Sequence, residues 1–331
     1  MEYRTLGRTG LLGSVMGLGC GGHSRLGLRQ GRSEDSAVAV VRRALELGVN
    51  VLDTAEAYGT EPVVGRAIAE ASSFLPRERI ILSTKVSVGQ GAARRTGPEL
   101  QEAAHAGLRR LQTDYVDILH LHAVSADDYE YCRSELVPAM QALQEAGKVR
   151  FLGITEAFAP DPQHRMLARA VADDDCWDVV MAGFNLVNQS ARERVFPHTL
   201  ARRIGVLDMF AVRRALTTMD ALTALMRDLA AGGLLPAAGI AAAVFTPQAL
   251  RDALQTGGGK EDTAGEPADS LPDAAYRFCR DEPGVDTVLV GTGSTAHLEA
   301  NAASLSRPPL PPATTALLRG WFAGVDSVSG N

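Results

Sequence analysis

The sequence has few cysteines and no long apolar run. Its four cysteines are widely spaced, form no C-x-x-C pair and accompany no histidine cluster at zinc-binding spacing. We interpret them as buried thiols in a reducing compartment, and not as disulfides or metal ligands. No segment approaches the ~18 apolar residues of a membrane span, and the first residues lack the basic and apolar regions of a secretory leader. We therefore expect a cytoplasmic protein with no membrane partner.

Positive charge is also scarce. Lys and Arg number 33 against 39 Asp and Glu, which gives a formal net charge of -6. This balance argues against the basic surface that nucleic-acid binding requires. Hydrophobic residues make up 46% of the chain and charged residues 22%, as in globular proteins with a large core. We predict a single domain over residues 1–331, because single α/β barrels commonly reach this length.

Strand-like and helix-like patterns alternate along the chain. Ser33 and Thr96 predict N-caps of helices that end near Leu47 and Leu111. Leu6–Leu11 predicts the turn of a short N-terminal β-hairpin. Eight apolar, β-branched segments predict strands: Ser14–Gly19, Asn50–Thr54, Ile80–Val86, Tyr115–His122, Lys148–Thr155, Trp177–Phe184, Ile204–Phe210 and Asp286–Gly291. Eight β-α units in a row favour a closed (β/α)8 TIM barrel over an open doubly wound sheet.

A long insertion separates the seventh and eighth predicted strands. It contains about seventy-five residues, far more than a usual connection. Met219–Ala231 and Pro247–Leu254 predict helices, whereas Gln255–Glu266 has the composition of a mobile loop. A further helix is predicted over Glu135–Ala146, closed by Gly147.

Three successive predicted strands carry an ionisable side chain at or near the C-terminal end. These are Asp53, Lys85 and His122, and Tyr58 follows five residues after Asp53. In parallel α/β folds, the loops at this end of the strands surround one common mouth. A buried Asp53 is costly unless it finds a hydrogen bond or a cation, which Lys85 can supply. We expect the four side chains to converge.

This pattern resembles the aldo-keto reductase superfamily, whose members have Asp, Tyr, Lys and His in that chain order. The resemblance also includes Tyr3–Leu11, Leu108–Asp117 and Val285–Thr292. It implies a metal-independent oxidoreductase that transfers a hydride between a nicotinamide and an aldehyde, ketone or sugar hemiacetal. The implied cofactor is NADP, with NAD as the alternative. The implied catalytic residues are Asp53, Tyr58, Lys85 and His122.

Each implied role matches the chemistry of its side chain. Tyr58 would be the general acid in reduction, and because a phenol has an ordinary pKa near ~10, Lys85 would supply a neighbouring positive charge. Asp53 would hold that ammonium, or alternatively cap the helix that follows Tyr58. His122 would hydrogen-bond the carbonyl oxygen. His120 has the same strand parity, and we expect it deeper in the barrel with its hydrogen bonds satisfied.

Gly17–Gly22 satisfies G-x-G-x-x-G, which raises the alternative of a Rossmann dehydrogenase. No helix is predicted to begin at Gly22, so no helix N-terminus lies where a pyrophosphate would need it. The barrel interpretation makes this segment the first β-α loop. Gly19, Cys20 and Gly21 would then pass close to the nicotinamide.

The family's cofactor-binding pattern is only partly met. Thr155 and Glu156 stand where a Ser-Asn pair usually holds the carboxamide, and Met181 stands where Gln is common. Met209 and Phe210 lie near the position of the stacking aromatic. The other implied cofactor contacts are Arg213, Arg214, Gly291, Thr292, Gly293, His297 and Asn301. The two arginines are equally compatible with a solvated surface helix.

The segment after the last strand resembles the family's adenosine-phosphate loop. Ser294 or Thr295 would cap a helix, and Asn301 matches the adenine-binding amide. Gly291 and His297 stand where many members direct Lys and Arg at the 2'-phosphate. Because a phosphate dianion prefers fixed cations, this departure weakens the case for NADP.

A second class of function stays open. A nicotinamide-nucleotide-binding regulatory subunit, such as the potassium-channel beta subunits, can retain the barrel with little turnover. The intact set of four ionisable residues favours the enzyme. The expected partner is a small carbonyl compound or sugar, and the sequence gives no indication of oligomeric state.

Overall fold

The computed structural model describes residues 1–89, 91–235, 247–256 and 265–331. Eight parallel strands form a closed barrel in the spatial order β10-β3-β4-β5-β6-β7-β8-β9. Their bounds are β3 Met16–Gly19, β4 Val51–Asp53, β5 Ile81–Ser87, β6 Val116–Val124, β7 Val149–Glu156, β8 Val179–Gly183, β9 Gly205–Met209 and β10 Thr287–Val290. The predicted (β/α)8 barrel is confirmed, and each predicted strand overlaps an observed one.

A two-stranded hairpin precedes the barrel, as predicted. Its antiparallel strands are β1, Tyr3–Thr5, and β2, Leu12–Ser14. Ser14 therefore belongs to the hairpin and not to the first barrel strand. At the turn, Leu6 is buried and packs so closely on β9 that a Cβ at Gly205 would lie 2.6 Å from its Cγ. The hairpin turn thus fills the N-terminal end of the barrel with apolar side chains.

Helices surround the barrel. The Ser33 hydroxyl accepts the amide of Ser36 at the first helix, and Thr96 and Glu99 form a capping box at the third, so both predicted N-caps are confirmed. The helices are α1 Glu34–Glu46, α2 Glu61–Ala71, α3 Gly97–Leu111, α4 Tyr129–Tyr131, α5 Val137–Glu145, α6 Arg165–Asp173, α7 Ala191–Arg194, α8 Phe196–Arg202, α9 Met219–Ala231, α10 Pro247–Thr256, α11 Leu271–Arg280, α12 Thr295–Leu305 and α13 Pro312–Phe322.

Two helices differ from their predicted bounds. The helix predicted over Glu135–Ala146 is longer, because a π-helical segment, Cys132–Leu136, joins α4 to α5. In the insertion, α9 has the predicted bounds, whereas α10 continues through Thr256 into the segment predicted as a loop. Residues 257–264 of that predicted loop lie outside the described residues, whereas its last two residues, Gly265 and Glu266, are described.

Apolar side chains form two separate cores. The larger core lies between the strands and the helices, and the smaller one fills the inside of the barrel. Alternation along each strand separates the two cores: on β9, Leu207 and Met209 belong to the inner core, whereas Val206, which precedes Leu207, belongs to the outer one. None of the helices in the described ranges combines the length and apolar composition needed to cross a membrane.

Candidate active site

Asp53 and Lys85 meet inside the C-terminal end of the barrel. The Lys85 ammonium donates to Asp53 Oδ2 at 2.6 Å and to the carbonyl of Thr54 at 2.8 Å, and the Ser83 hydroxyl donates to Asp53 Oδ1 at 2.8 Å. Asp53 and Ser83 are also register partners on adjacent strands. The carboxylate therefore belongs to an interior network and does not cap a helix; the residue at the N-cap of α2 is Thr60.

Burial makes this ion pair unusual. Lys85 is 1% exposed and Asp53 3% exposed. Burial opposes the charge on Lys85, but the Asp53 carboxylate beside it outweighs that effect and raises the pKa of the lysine. Burial raises the pKa of Asp53, while the Lys85 ammonium and the Ser83 hydroxyl oppose that rise. The pair thus keeps a fixed cation in a site with little access to water.

A short 3-10 turn, Glu56–Tyr58, directs Tyr58 to the same point. The Lys85 ammonium lies 4.9 Å from the centre of the tyrosine ring. The turn ends at Gly59, whose φ of 71° favours glycine. The ring lies against the first β-α loop, because a Cβ at Gly21 would be 2.3 Å from Tyr58 Cε2. Glycine at position 21 therefore makes room for the phenol.

His122 completes the group at the mouth. Its Nε2 lies 3.4 Å from the Tyr58 hydroxyl, and the two rings meet edge to face at 86° with centres 5.4 Å apart. Burial, followed by the nearby Lys85 ammonium, lowers the pKa of His122 to about 3. The imidazole is therefore neutral at physiological pH. Burial also raises the pKa of Tyr58, and Lys85 is the main influence that opposes this rise.

His120 lies deeper, as predicted, but its hydrogen bonds are not satisfied. It is 0% exposed, and neither ring nitrogen makes a hydrogen bond of normal geometry among the described residues, the one polar influence from the backbone being that of Ile154. The residues beside His120 on the adjacent strands explain why its ring nitrogens lack side-chain partners. Lys85, its register partner on β5, donates to Asp53 instead. Gly153, its register partner on β7, has no side chain. A Cβ at Gly153 would lie 2.2 Å from the ring. Burial, and then Lys85, lower the pKa of His120 well below its ordinary value.

The first β-α loop follows the predicted course. No α-helix begins at Gly22; the chain forms a 3-10 segment, Arg25–Gln30, before α1. Gly19 ends β3 beside Asp53. The Cys20 amide donates to the Asp53 carbonyl at 2.7 Å, and its thiol is buried. Burial raises the pKa of this thiol, so it stays protonated.

The side chains at the end of β7 already accept hydrogen bonds from other parts of the protein. The Thr155 hydroxyl accepts the amide of Ala123 at 2.7 Å. Glu156 is buried, receives the Gly183 amide at 2.7 Å and lies 2.9 Å from His164 Nδ1. Burial raises the pKa of Glu156, and His164 opposes this rise. A carboxamide contact from either residue would therefore have to share an oxygen that already accepts a hydrogen bond.

An aromatic stack adjoins this pair. The Phe158 ring lies nearly parallel to the His164 ring, with centres 5.2 Å apart, and to the Phe210 ring, with centres 6.2 Å apart. The Arg213 guanidinium covers Phe210 at 4.0 Å. Phe158 is buried within the barrel-interior core, which also contains Met181. This side of the mouth is thus lined by apolar and aromatic surface.

The residues at and after the end of β9 that were predicted to contact the cofactor differ in burial. Met209 ends β9 within the interior core, and Phe210 follows with a φ of 73°. Arg213 Nε donates to Asn331 Oδ1 at 3.0 Å, while its Nη1 is buried and has no partner among the described residues. Burial lowers the pKa of Arg213. Arg214 is exposed.

The loop after β10 leads into α12 as the sequence predicts. Ser294 is the N-cap, and its hydroxyl accepts the His297 amide. Gly293 packs directly on the first β-α loop, since a Cβ there would lie 2.5 Å from Gly27. Thr292 is buried, and two predicted contacts, Gly291 and His297, are exposed. Asn301 is half-buried one turn further along α12.

Several residues that shape the mouth carry no clear signal in the sequence or were not predicted from it. Ser83 could have been found, because it has the strand parity of Lys85 and must face the same interior. His164 and Arg95 gave no signal, since their partners, Glu156 and Glu56, lie on other elements. Only folding brings these side chains together.

Comparison with known proteins identifies the family. A model of the Aldo/keto reductase family matches residues 16–320. L-galactose dehydrogenase of Arabidopsis thaliana is 33% identical over 223 residues, covering 66% of this chain and 67% of that protein. Methylglyoxal reductase DkgB of Escherichia coli O157:H7 is 35% identical over 127 residues, covering 38% of this chain and 45% of that protein.

The structural comparison concerns the fold. The holo form of aldo-keto reductase AKR11C1 from Bacillus halodurans has a TM-score of 0.68 and 24% identity, covering 96% of this chain and 95% of that chain. The resemblance inferred from the sequence is confirmed. This protein belongs to the aldo-keto reductase family, a family of NAD(P)-dependent oxidoreductases.

Proposed function

We propose that this protein interconverts a carbonyl compound and its alcohol, using NADP(H) or NAD(H), with Tyr58 as the general acid and base. The observation that carries the proposal is the buried Lys85–Asp53 pair, joined at 2.6 Å, beside a phenol that also meets His122. A hydroxyl between a fixed cation and a neutral imidazole is suited to delivering a proton to an oxygen that gains negative charge.

The residues around the mouth fit a dinucleotide phosphate. The buried Arg213 Nη1 has no partner in the described part of the chain, so a pyrophosphate oxygen would satisfy it. The N-terminus of α12, capped by Ser294, offers backbone amides to a further phosphate. We propose both as cofactor contacts, together with Gly21 at the nicotinamide end. The nicotinamide, when bound, supplies or accepts the hydride.

The protein's own residues transfer the proton and stabilise the charge that develops on the carbonyl oxygen. In reduction, Tyr58 donates its hydroxyl proton to the carbonyl oxygen, and the Lys85 ammonium stabilises the phenolate that remains. Asp53 holds the ammonium in place. The neutral His122 donates a hydrogen bond to the same oxygen when its Nε2 carries the proton. The low pKa of His122 keeps it in this neutral form across the physiological range.

The substrate class includes aldehydes, ketones and sugar hemiacetals. The names of two relatives, L-galactose dehydrogenase and methylglyoxal reductase, place both a sugar and a small ketoaldehyde in the first panel to test. The apolar stack around Phe158 and Phe210 favours substrates with a nonpolar part. We also propose a cytoplasmic location, which the four free cysteines support.

The central test is turnover of the purified protein with such a panel and each cofactor, in wild type and Tyr58→Phe. We expect Tyr58→Phe to lower kcat by at least ~100-fold, as for loss of a positioned acid, with little change in cofactor affinity. Turnover within a few-fold of wild type would contradict the role of Tyr58. Tight cofactor binding without turnover of any carbonyl in the wild type would instead favour a regulatory subunit.

A further inference from the structure

The turn that carries Tyr58 is tied to the rim of the barrel by an ion pair. Glu56, the first residue of that turn, receives two hydrogen bonds from the Arg95 guanidinium, at 2.7 and 2.8 Å. The hydrogen bonds from Arg95, reinforced by its charge, lower the pKa of Glu56. The pair is therefore ionised and bidentate, the geometry in which a guanidinium best fixes a carboxylate.

Arg95 itself is held by the backbone. Its amide donates to the carbonyl of Val88 at 3.0 Å, and its carbonyl accepts the Tyr131 hydroxyl at 2.9 Å. The next residue, Thr96, is the N-cap of α3. The backbone that carries the guanidinium is thus anchored beside the end of β5, to α4 and at the start of α3.

The same carboxylate also contacts the strand beside His122. The Ser87 amide donates to Glu56 Oε2 at 3.4 Å, and Ser87 is the register partner of His122 on β6. Glu56 consequently connects the turn bearing Tyr58 to the strand pair bearing His122. The position of Glu56 can therefore determine the distance of 3.4 Å between the Tyr58 hydroxyl and His122 Nε2.

Stability alone is a weak reason for this pair. Its two side chains are 28% and 27% exposed, and partly exposed ion pairs contribute little to folding because water screens them and ordering costs entropy. A geometric role does not need a large contribution to stability. Proton transfer is sensitive to errors of about 1 Å in the position of the donor.

We propose that Glu56 and Arg95 are positioning residues that hold Tyr58 at its working distance from His122. This inference rests on the proposed role of Tyr58 as general acid. Neither side chain needs to touch the substrate or the cofactor. The carboxylate acts through the turn, and the guanidinium acts through the carboxylate.

The test uses Glu56→Gln, Arg95→Gln and the double variant, with Arg8→Gln as a matched control. Arg8 also forms an ion pair of similar exposure, with Asp178, but it belongs to the hairpin turn that fills the opposite end of the barrel. We expect each single variant to lower kcat by about tenfold or more, with the cofactor Kd nearly unchanged. The double variant should be no worse than either single one, because both changes break one link.

A second readout reports the position of Tyr58 without turnover. With 13C-labelled tyrosine, the Tyr58 resonance, assigned by its loss in Tyr58→Phe, should shift or broaden in Glu56→Gln and Arg95→Gln but not in Arg8→Gln. An unmoved resonance in both variants, or a moved one with unchanged kcat, would overturn the proposal. Additive losses in the double variant would do so too, since they indicate separate roles.

The two proposals can fail separately. If the wild type turns over no carbonyl, the proposed function fails, and the NMR comparison then decides by itself whether the pair positions Tyr58. If the wild type is active and the Glu56 and Arg95 variants match the Arg8→Gln control in both kcat and resonance, only the positioning role is lost.

Discussion

Buried charges, which have little contact with water, control the chemistry of individual residues at this mouth. Lys85 stays charged because Asp53 is 2.6 Å away. Burial, reinforced by the same ammonium, lowers the pKa of both histidines on β6. The result is a buried ion pair, a phenol and two neutral imidazoles near the C-terminal end of the barrel.

The two histidines of β6 should respond oppositely to truncation. We expect His122→Ala to lower kcat by about 100-fold, as for the loss of one donor to a developing oxyanion, with little change in Tm. His120→Ala should leave kcat within a few-fold and lower Tm, because it opens a cavity against Gly153. Steady-state kinetics and thermal melts of both variants check this. A larger loss of kcat from His120→Ala would transfer the proposed role to that residue.

Acid sensitivity should also be traceable to His122. Its pKa is about 3 in the folded protein and about 6.5 when unfolded. Between these values the unfolded chain binds a proton that the folded chain does not, so this histidine makes stability fall as the pH falls. We expect His122→Asn to lose less unfolding free energy than wild type between pH 7 and pH 5, by on the order of 1–2 kcal/mol.

Urea unfolding at several pH values measures this difference. Burial raises the pKa of Asp286 to about 6, which makes stability change in the opposite direction over part of the same range. That contribution is common to both proteins and cancels when the variant is subtracted from wild type. Identical pH slopes for the two proteins would contradict the burial of a neutral imidazole at position 122.

At the scale of elements, close approach between neighbouring loops shapes the site. The first β-α loop touches the Tyr58 ring at Gly21, and it touches the loop after β10 where Gly27 meets Gly293. Side chains would not fit at these contacts. Glycine therefore allows three separate connections to converge on one mouth.

Gly21→Ala should displace the tyrosine. The added Cβ would lie 2.3 Å from the ring, so the ring must move, and we expect kcat to fall by about 10- to 100-fold. The backbone at Gly21 needs no positive φ, so the fold should tolerate the change. Gly320→Ala, where an added Cβ meets nothing within 4 Å, is the control. Kinetics and melts of both variants check this, and full activity in Gly21→Ala would contradict the packing argument.

At the scale of the whole molecule, the proposed cofactor contacts lie on loops that follow two paired strands of the barrel, although these strands are far apart in the sequence. Arg213 follows β9, and Ser294 and His297 follow β10. Among the residues that we propose to contact phosphate after β10, His297 is the only side chain able to carry a positive charge, since position 291 is Gly. An imidazole is a weaker cation than Lys or Arg at neutral pH.

We expect weak discrimination between the two cofactors as a result. Fluorescence titration with NADPH and NADH at pH 8 should give Kd values that differ by much less than ~1000-fold, or ~4 kcal/mol. His297→Ala, compared with wild type, isolates the contribution of this side chain. A 1000-fold preference for NADPH at pH 8 would mean that other cations recognise the 2'-phosphate.

The sequence alone determined the parts that depend on local pattern and on strand polarity. Apolar alternation located the strands, Ser33 and Thr96 marked helix starts, and parallel strands necessarily brought Asp53, Lys85 and His122 to one end of the barrel. Strand parity also placed His120 inside. These inferences need only the period of each element and the direction of the chain.

Only the tertiary structure decided which polar side chains form hydrogen bonds and ion pairs with one another. Glu56 and Arg95 are 39 residues apart, Glu156 meets a histidine from the following loop, and His120 is left without a side-chain partner among the described residues. Such outcomes depend on how closely neighbouring elements approach and on which polar atoms remain free at that distance. No period in the sequence encodes these quantities, because they arise when the barrel closes.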